Sequence, residues 1–305
     1  MANDVESVGG MTVRLCADRV IPVDIAPHWQ HDWSEADGTV SLSGLRIGDQ
    51  YGLVFPGVAE AWFNLEGNIG LWCDPDASVE SVRHILLDQV FPRLIAQRGS
   101  LVLHGSVATT AEARTVVILG DSGMGKSTLA SGIALSGGQV LTDDCLLISF
   151  DGGQARAVSS YAGLRLWPDS LMALFEERQG EATPMTHYSS KLRLPSSTPA
   201  SAGPAPAIDA VLVLQDDDNT GQVKLSPLSP QQACMALIGN AFQLDLGNLR
   251  HTHALLGLAA RLARCVPVLA LAYPRDYARL PGVVADIRAT LGVTRIKGQD
   301  PAATA

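Results

Sequence analysis

The residues Gly120-Asp121-Ser122-Gly123-Met124-Gly125-Lys126-Ser127, followed by Thr128, match the pattern G-x-x-x-x-G-K-[ST]. They follow the apolar run Thr115-Val-Val-Ile-Leu119 and precede a helical pattern, which is the strand-loop-helix context this motif requires. Gly123 and Gly125 allow backbone N–H groups to converge on phosphate oxygens. The following helix N-terminus adds partial positive charge and Lys126 a full one, while the Ser127 hydroxyl suits magnesium. A nucleoside triphosphate with Mg2+, ATP above all, is the expected ligand of Gly120 to Thr128.

Seventeen positions beyond Lys126, the apolar stretch Val140-Leu141-Thr142 ends in Asp143-Asp144. Adjacent strand residues face opposite ways, but at a strand end both carboxylates can turn toward the loop. One would then serve the metal shell and the other face an attacking hydroxyl, the division of labour phosphoryl transfer needs.

These groups need a scaffold. Short strand-like pieces at Met11 to Leu15, Thr39 to Leu42, Tyr51 to Phe55, Ala61 to Asn64 and Ile69 to Trp72 predict a β-rich N-terminal domain. Val82, Ile85, Leu86, Val90, Leu94 and Ile95 recur near a 3.6-residue period, predicting a helix over 78–98 that bridges two domains. Leu101 to Ala108 and Thr115 to Leu119 read as a hairpin feeding the loop. Gln139 to Phe150 reads as a buried strand, turned by Asp151-Gly152-Gly153 into another around Ala155 to Val158. Strands at Ala210 to Gln215 and Val266 to Ala272, with helices near 230–242, 252–264 and 281–291, complete an alternating α/β pattern. Residues 195–207, rich in proline and small residues, predict a mobile loop. The expected division is 1–98 for the β-rich domain with its bridging helix and 99–305 for an α/β P-loop domain.

With 47% hydrophobic and 17% charged residues, the 305-residue chain has a globular composition, and no apolar run approaches the roughly 20 residues of a membrane span. The net charge of -9 argues against nonspecific nucleic-acid binding. Five scattered cysteines show no C-x-x-C spacing, and the acidic N-terminus lacks a secretory pattern. A cytoplasmic protein, with no nucleic-acid or membrane partner, is expected; a homo-oligomer is left open.

His104-Gly105, the loop Gly120 to Ser127 and Asp143-Asp144, in that order and spacing, resemble the catalytic domain of bacterial HPr kinase/phosphorylase over residues 100–180. The resemblance implies an α/β nucleotide-binding core of the HPr kinase and PEP carboxykinase type. It also implies roles: Asp143 as the base for a serine hydroxyl, Asp144 with Ser127 at magnesium, His104 orienting an aspartate, and Lys126 on the β- and γ-phosphates. The N-terminal region does not follow that family. Leu164-Arg165-Leu-Trp167-Pro168-Asp169, Lys191-Leu-Arg193-Leu-Pro195 and Tyr273-Pro-Arg275-Asp276 instead resemble HPr-kinase-like proteins of ribosomal peptide tailoring, including lasso-peptide precursor kinases.

The expected activity is therefore an ATP- and Mg2+-dependent serine kinase acting on a peptide or small protein. A small-molecule hydroxyl kinase and a nucleotide-gated regulatory module without transfer stand as alternatives. Arg165 near a strand end is a candidate phosphate ligand through its bidentate guanidinium, with a salt bridge equally open to it. Lys191 and Arg193 could close over the nucleotide or hold a peptide carboxylate. His251 and His253 lack a third ligand at metal spacing and read as polar helix-start residues.

Overall fold

The computed structural model describes residues 5–8 (backbone only), 11–35, 37–159, 163–186, 189–195, 204–216 and 221–294. It divides into two compact units. The first contains Met1–Ser100 together with Met185–Ser189 and Phe242–Ala254, and the second contains the remainder.

In the first unit, β1 (Val5–Val8), β2 (Met11–Cys16), β3 (Trp29–Ser34), β4 (Val40–Ile47), β5 (Gln50–Phe55), β6 (Ala59–Asn64) and β7 (Asn68–Cys73) form one sheet ordered β1-β2-β7-β6-β5-β4-β3. The expected strands are present. The edge strand β3 escaped the sequence reading because its inward positions are aromatic residues alternating with polar ones, Trp29, His31 and Trp33. The expected helix over 78–98 is α1 (Val79–Ile85) and α2 (Phe91–Gln97), joined through a π-helical turn at Leu86–Val90. Ser78 caps α1 by accepting the Ser81 N–H. Ile85, Val90 and Leu94 enter the same core as Leu53, Phe63, Leu71 and Leu244.

In the second unit, β8 (Leu101–Leu103), β9 (Gly105–Thr109), β10 (Thr115–Leu119), α3 (Lys126–Leu135), β11 (Gln139–Thr142), β12 (Leu146–Asp151) and β13 (Gln154–Ser159) come first. They are followed by β14 (Leu164–Leu166), α4 (Pro168–Phe175), β15 (Thr183–Pro184), β16 (Leu192–Leu194), β17 (Ala210–Leu214), β18 (Lys224–Pro227), α5 (Pro230–Gly239), β19 (Val268–Ala272) and α7 (Leu280–Thr294). The remaining helix, α6 (Leu249–Cys265), starts among residues of the first unit and ends among those of the second.

The main sheet is ordered β11-β9-β10-β17-β19-β18, with β10, β17 and β19 parallel. Every residue of β10 is buried, as a strand covered on both faces requires. Val116 and Ile118 face Leu129 and Ile133 of α3 and Val284 and Ile287 of α7. Val117 and Leu119 face the opposite core, with Leu237 of α5 and Ala259 and Leu262 of α6. The architecture is thus mixed α/β, with helices on both faces of a central sheet.

Two expectations change. Gln139 to Phe150 is not one strand: β11 joins the main sheet and β12 pairs with β8 and β13 in another, so the chain changes sheets at Asp143–Cys145. The same change occurs at His104, between β8 and β9. Most of the predicted loop over 195–207, namely residues 196–203, lies outside the described residues.

Candidate active site

The phosphate-loop sequence leaves the C-terminal end of β10, beside the ends of β17 and β19. Crevices at the carboxyl ends of parallel strands are where open α/β sheets place ligands. Gly125 is the N-cap of α3 with φ +88°, a left-handed conformation that favours glycine, and a Cβ there would lie 3.3 Å from the Tyr273 hydroxyl. The first residues of α3 border a cavity of about 360 Å³, at the helix end where backbone N–H groups lack intrahelical partners. Gly123 to Thr128, Asp144, Arg165, Trp167, Lys191 and Arg275 are among its lining residues.

Lys126 is buried and its Nζ donates to the Gly120 and Asp121 carbonyls at 2.7 and 3.0 Å. Burial lowers its pKa, against the pull of Asp144. Ser122 belongs to the same loop but is absent from the cavity wall. Thr128 lines the wall, with its hydroxyl 3.4 Å from that of Ser170.

The two aspartates part company. Asp143 is fully buried: Oδ1 accepts from the hydroxyls of Ser106 (2.5 Å) and Ser127 (3.0 Å), and Oδ2 from the Arg165 N–H at 2.8 Å. Asp144 has φ +69°, an uncommon conformation for a non-glycine residue, and this turns its carboxylate the other way, onto the cavity wall. Its Oδ2 lies 3.2 Å from Arg165 Nε. Asp143, the expected base, does not line the cavity and has both oxygens occupied, while the carboxylate adjoining Ser127 is that of Asp143 rather than Asp144.

Electrostatics separates the pair further. Burial, then the neighbouring Asp144 charge, pushes the Asp143 carboxyl upward. Burial acts on Asp144 in the same sense, but Arg165, His104, Lys191 and Lys126 outweigh it and hold Asp144 below the ordinary carboxylate range. His104 sits where the chain changes sheets, and burial, countered in part by Asp144, takes its pKa down to about 4. The imidazole is then neutral at pH 7, leaving Arg165, Lys191 and Lys126 as the cations that keep Asp144 ionised. Gly105 follows because β9 and β10 approach closely: a Cβ there would come within 2.7 Å of the Ile118 carbonyl.

Arg165 is 1% exposed, and its Nη1 donates to the Asp143 carbonyl at 2.7 Å. Arg165 thus bonds to both aspartates and also reaches the cavity wall. Two basic residues singled out in the sequence, Lys191 and Arg275, stand at the cavity. Lys191 Nζ lies 5.5 Å from the centre of the Trp167 ring. Arg275 stacks on Tyr273 at 4.2 Å and donates to the Gln215 carbonyl at 2.8 Å. Ser106 escaped notice because a lone serine in a strand carries no pattern. His251 is buried and His253 exposed, and among the described residues no group of three His, Cys, Asp or Glu side chains could hold a metal. Magnesium bound with nucleotide needs only one or two protein oxygens besides phosphate and water, and the Ser127 hydroxyl, which lines the cavity and is hydrogen-bonded to the Asp143 carboxylate, can supply one.

Among the described residues no helix is long and apolar enough to cross a membrane. No family model matches the chain, and no curated protein matches it. Among solved structures, it is similar to the Hpr(Ser) kinase/phosphatase from Coxiella burnetii, with 10% identity and a TM-score of 0.32, covering 63% of this chain and 98% of that one.

Proposed function

We propose that the chain is an ATP-dependent phosphotransferase that moves the γ-phosphoryl group to a hydroxyl. The observation that carries this reading is that the opening turn of α3, Lys126 at its start and the ionised Asp144 meet at one cavity. The loop N–H groups and Lys126 hold the phosphates, with Lys126 exchanging its bonds to loop carbonyls for phosphate oxygens. Mg2+, held through Ser127 with Asp143 behind it, supplies charge neutralisation between phosphates when bound.

Asp144 is the base in this reading. The acceptor O–H gives its proton to the Asp144 carboxylate as the oxygen bonds to the γ-phosphorus. The bond from that phosphorus to the bridging oxygen breaks, and its electron pair leaves on ADP. A carboxylate of low pKa suits a loose transition state, in which little charge develops on the attacking oxygen and the proton moves late. Lys191 and Arg275 bring further positive charge to the wall where the equatorial oxygens gather charge. By its resemblance to the HPr kinase type, the acceptor is a serine of a peptide or small protein, a ribosomal precursor peptide being the preferred candidate, and the setting is cytoplasmic.

Intact-mass analysis of HPr and of a serine-ended precursor peptide, after incubation with the chain, ATP and Mg2+, tests the acceptor. A gain of one phosphate on either supports the peptide reading; phosphorylation of small hydroxyl compounds alone would transfer the activity to that class. Lys126→Ala should weaken nucleotide affinity by about a hundredfold, equivalent to two charge-assisted hydrogen bonds, in a calorimetric titration. Unchanged affinity would remove the phosphate-loop reading.

A further inference from the structure

Beyond Leu119 the ladder of β10 has no strand partner among the described residues: the β9 pairing ends at Gly105 and the β17 pairing at Val213. Gly120 is buried, so its N–H needs an acceptor from outside the sheet. Asn240 supplies it. Oδ1 of this residue, the C-cap of α5, accepts the Gly120 N–H at 3.1 Å, and Nδ2 is held by donating to the Ala236 carbonyl at 2.9 Å. The backbone carbonyl of the same residue accepts the His104 N–H at 2.7 Å, and Ala241 continues the contact as a bridge to Leu103.

One residue, more than a hundred positions from the phosphate loop in sequence, thus grips both sides of the site. Gly120 presents the carbonyl that Lys126 Nζ binds at 2.7 Å. His104 carries the imidazole beside Asp144. We infer that Asn240 is a positioning residue for phosphoryl transfer: it sets Gly120, and through it the approach of Lys126, in register with His104 and Asp144. This rests on the phosphotransferase reading for its catalytic meaning, but the loop order it creates exists without nucleotide.

The test uses the full chain with Asn240→Leu, of similar size and without an acceptor, and Asn240→Asp, which keeps the oxygen facing Gly120. In nucleotide-free protein, amide hydrogen exchange over 101–125 should quicken by about tenfold in Asn240→Leu, the loss of one buried hydrogen bond, and stay near the parent in Asn240→Asp. Turnover in Asn240→Leu should fall by about tenfold at saturating ATP, with a melting temperature close to the parent's, a split that mere destabilisation would not give. If Asn240→Leu does not fold, Asn240→Ser, too short to reach Gly120, carries the same comparison. Parent-like exchange in the variant lacking the acceptor, or equal quickening in both, would overturn the inference. Quickened exchange confined to Asn240→Leu in a chain that binds no nucleotide would uphold Asn240 as the loop's anchor and remove the phosphotransferase reading instead.

Discussion

Buried charge clusters from the two units, Asp245 with Arg46 in the first and the aspartate pair with Arg165 and Lys126 in the second, differ in what surrounds them. In the first unit, Asp245 is fully buried with Oδ2 3.2 Å from Arg46 Nε and Oδ1 accepting the Gly247 N–H at 3.0 Å. Gln97 donates to the Tyr51 hydroxyl at 3.3 Å, and burial, followed by the Asp245 charge, raises the tyrosine's pKa. In the second unit, Asp143, Asp144, Arg165 and Lys126 are equally buried, but Asp144, Arg165 and Lys126 also line a cavity. Asp144 is further distinguished as one of two non-glycine residues with positive φ among the described residues. Burial of charge is thus common to structure and chemistry. What marks the chemical cluster is an open wall, a strained backbone and two carboxylates driven in opposite directions.

The sharpest way to break this contrast is to neutralise one aspartate in each cluster. Asp144→Asn should leave nucleotide affinity within a few-fold and cut phosphoryl transfer by about a thousandfold, roughly 4 kcal/mol, in single-turnover measurements. Equal loss in Asp143→Asn, accompanied by loss of Mg2+ dependence, fits its place behind Ser127; full turnover in Asp144→Asn would return the base to Asp143. Asp245→Ala should do the reverse, lowering stability in urea denaturation by about 3 kcal/mol because Arg46 loses its buried partner, while activity per folded molecule is retained. A smaller effect separates the clusters by pH. The His104 pKa of about 4 lies below the ordinary 6.5, so the unfolded chain binds the extra proton. Stability from this group is complete above pH 6.5 and is lost as pH falls through 4, by about 2 kcal/mol after allowance for its partial exposure. The raised Asp143 carboxyl acts in the opposite sense, so the difference between the parent and His104→Asn isolates the imidazole.

Local pattern made much of the scaffold readable. The phosphate loop announces itself because glycine conformations, the lysine and the helix start are all encoded within eight consecutive residues. A continuous apolar run likewise reveals β10, and local pattern reveals α5, α7 and most of the N-terminal strands. The different surroundings of Asp143 and Asp144 were not readable, because they depend on Ser106, Ser127 and Arg165 converging from three separate segments. Nor does Asn240 carry any local sign: its importance arises from where β10 runs out of strand partners. The changes of sheet at His104 and Asp143 were hidden because β8 and β9, or β11 and β12, read as continuous apolar runs.

The placement of Phe242–Ala254 has a consequence for how the molecule is made. Leu244 fills the first unit's core and Asp245 meets Arg46 there, yet both lie more than a hundred residues downstream of Ser100. During synthesis, the N-terminal sheet leaves the ribosome with that place in its core unfilled and the Arg46 charge waiting for its counterpart. Most of the second unit is translated before the missing piece arrives. The N-terminal unit is therefore completed only after most of the second has been translated, and a fragment ending near residue 100 would be a sheet without its final wedge.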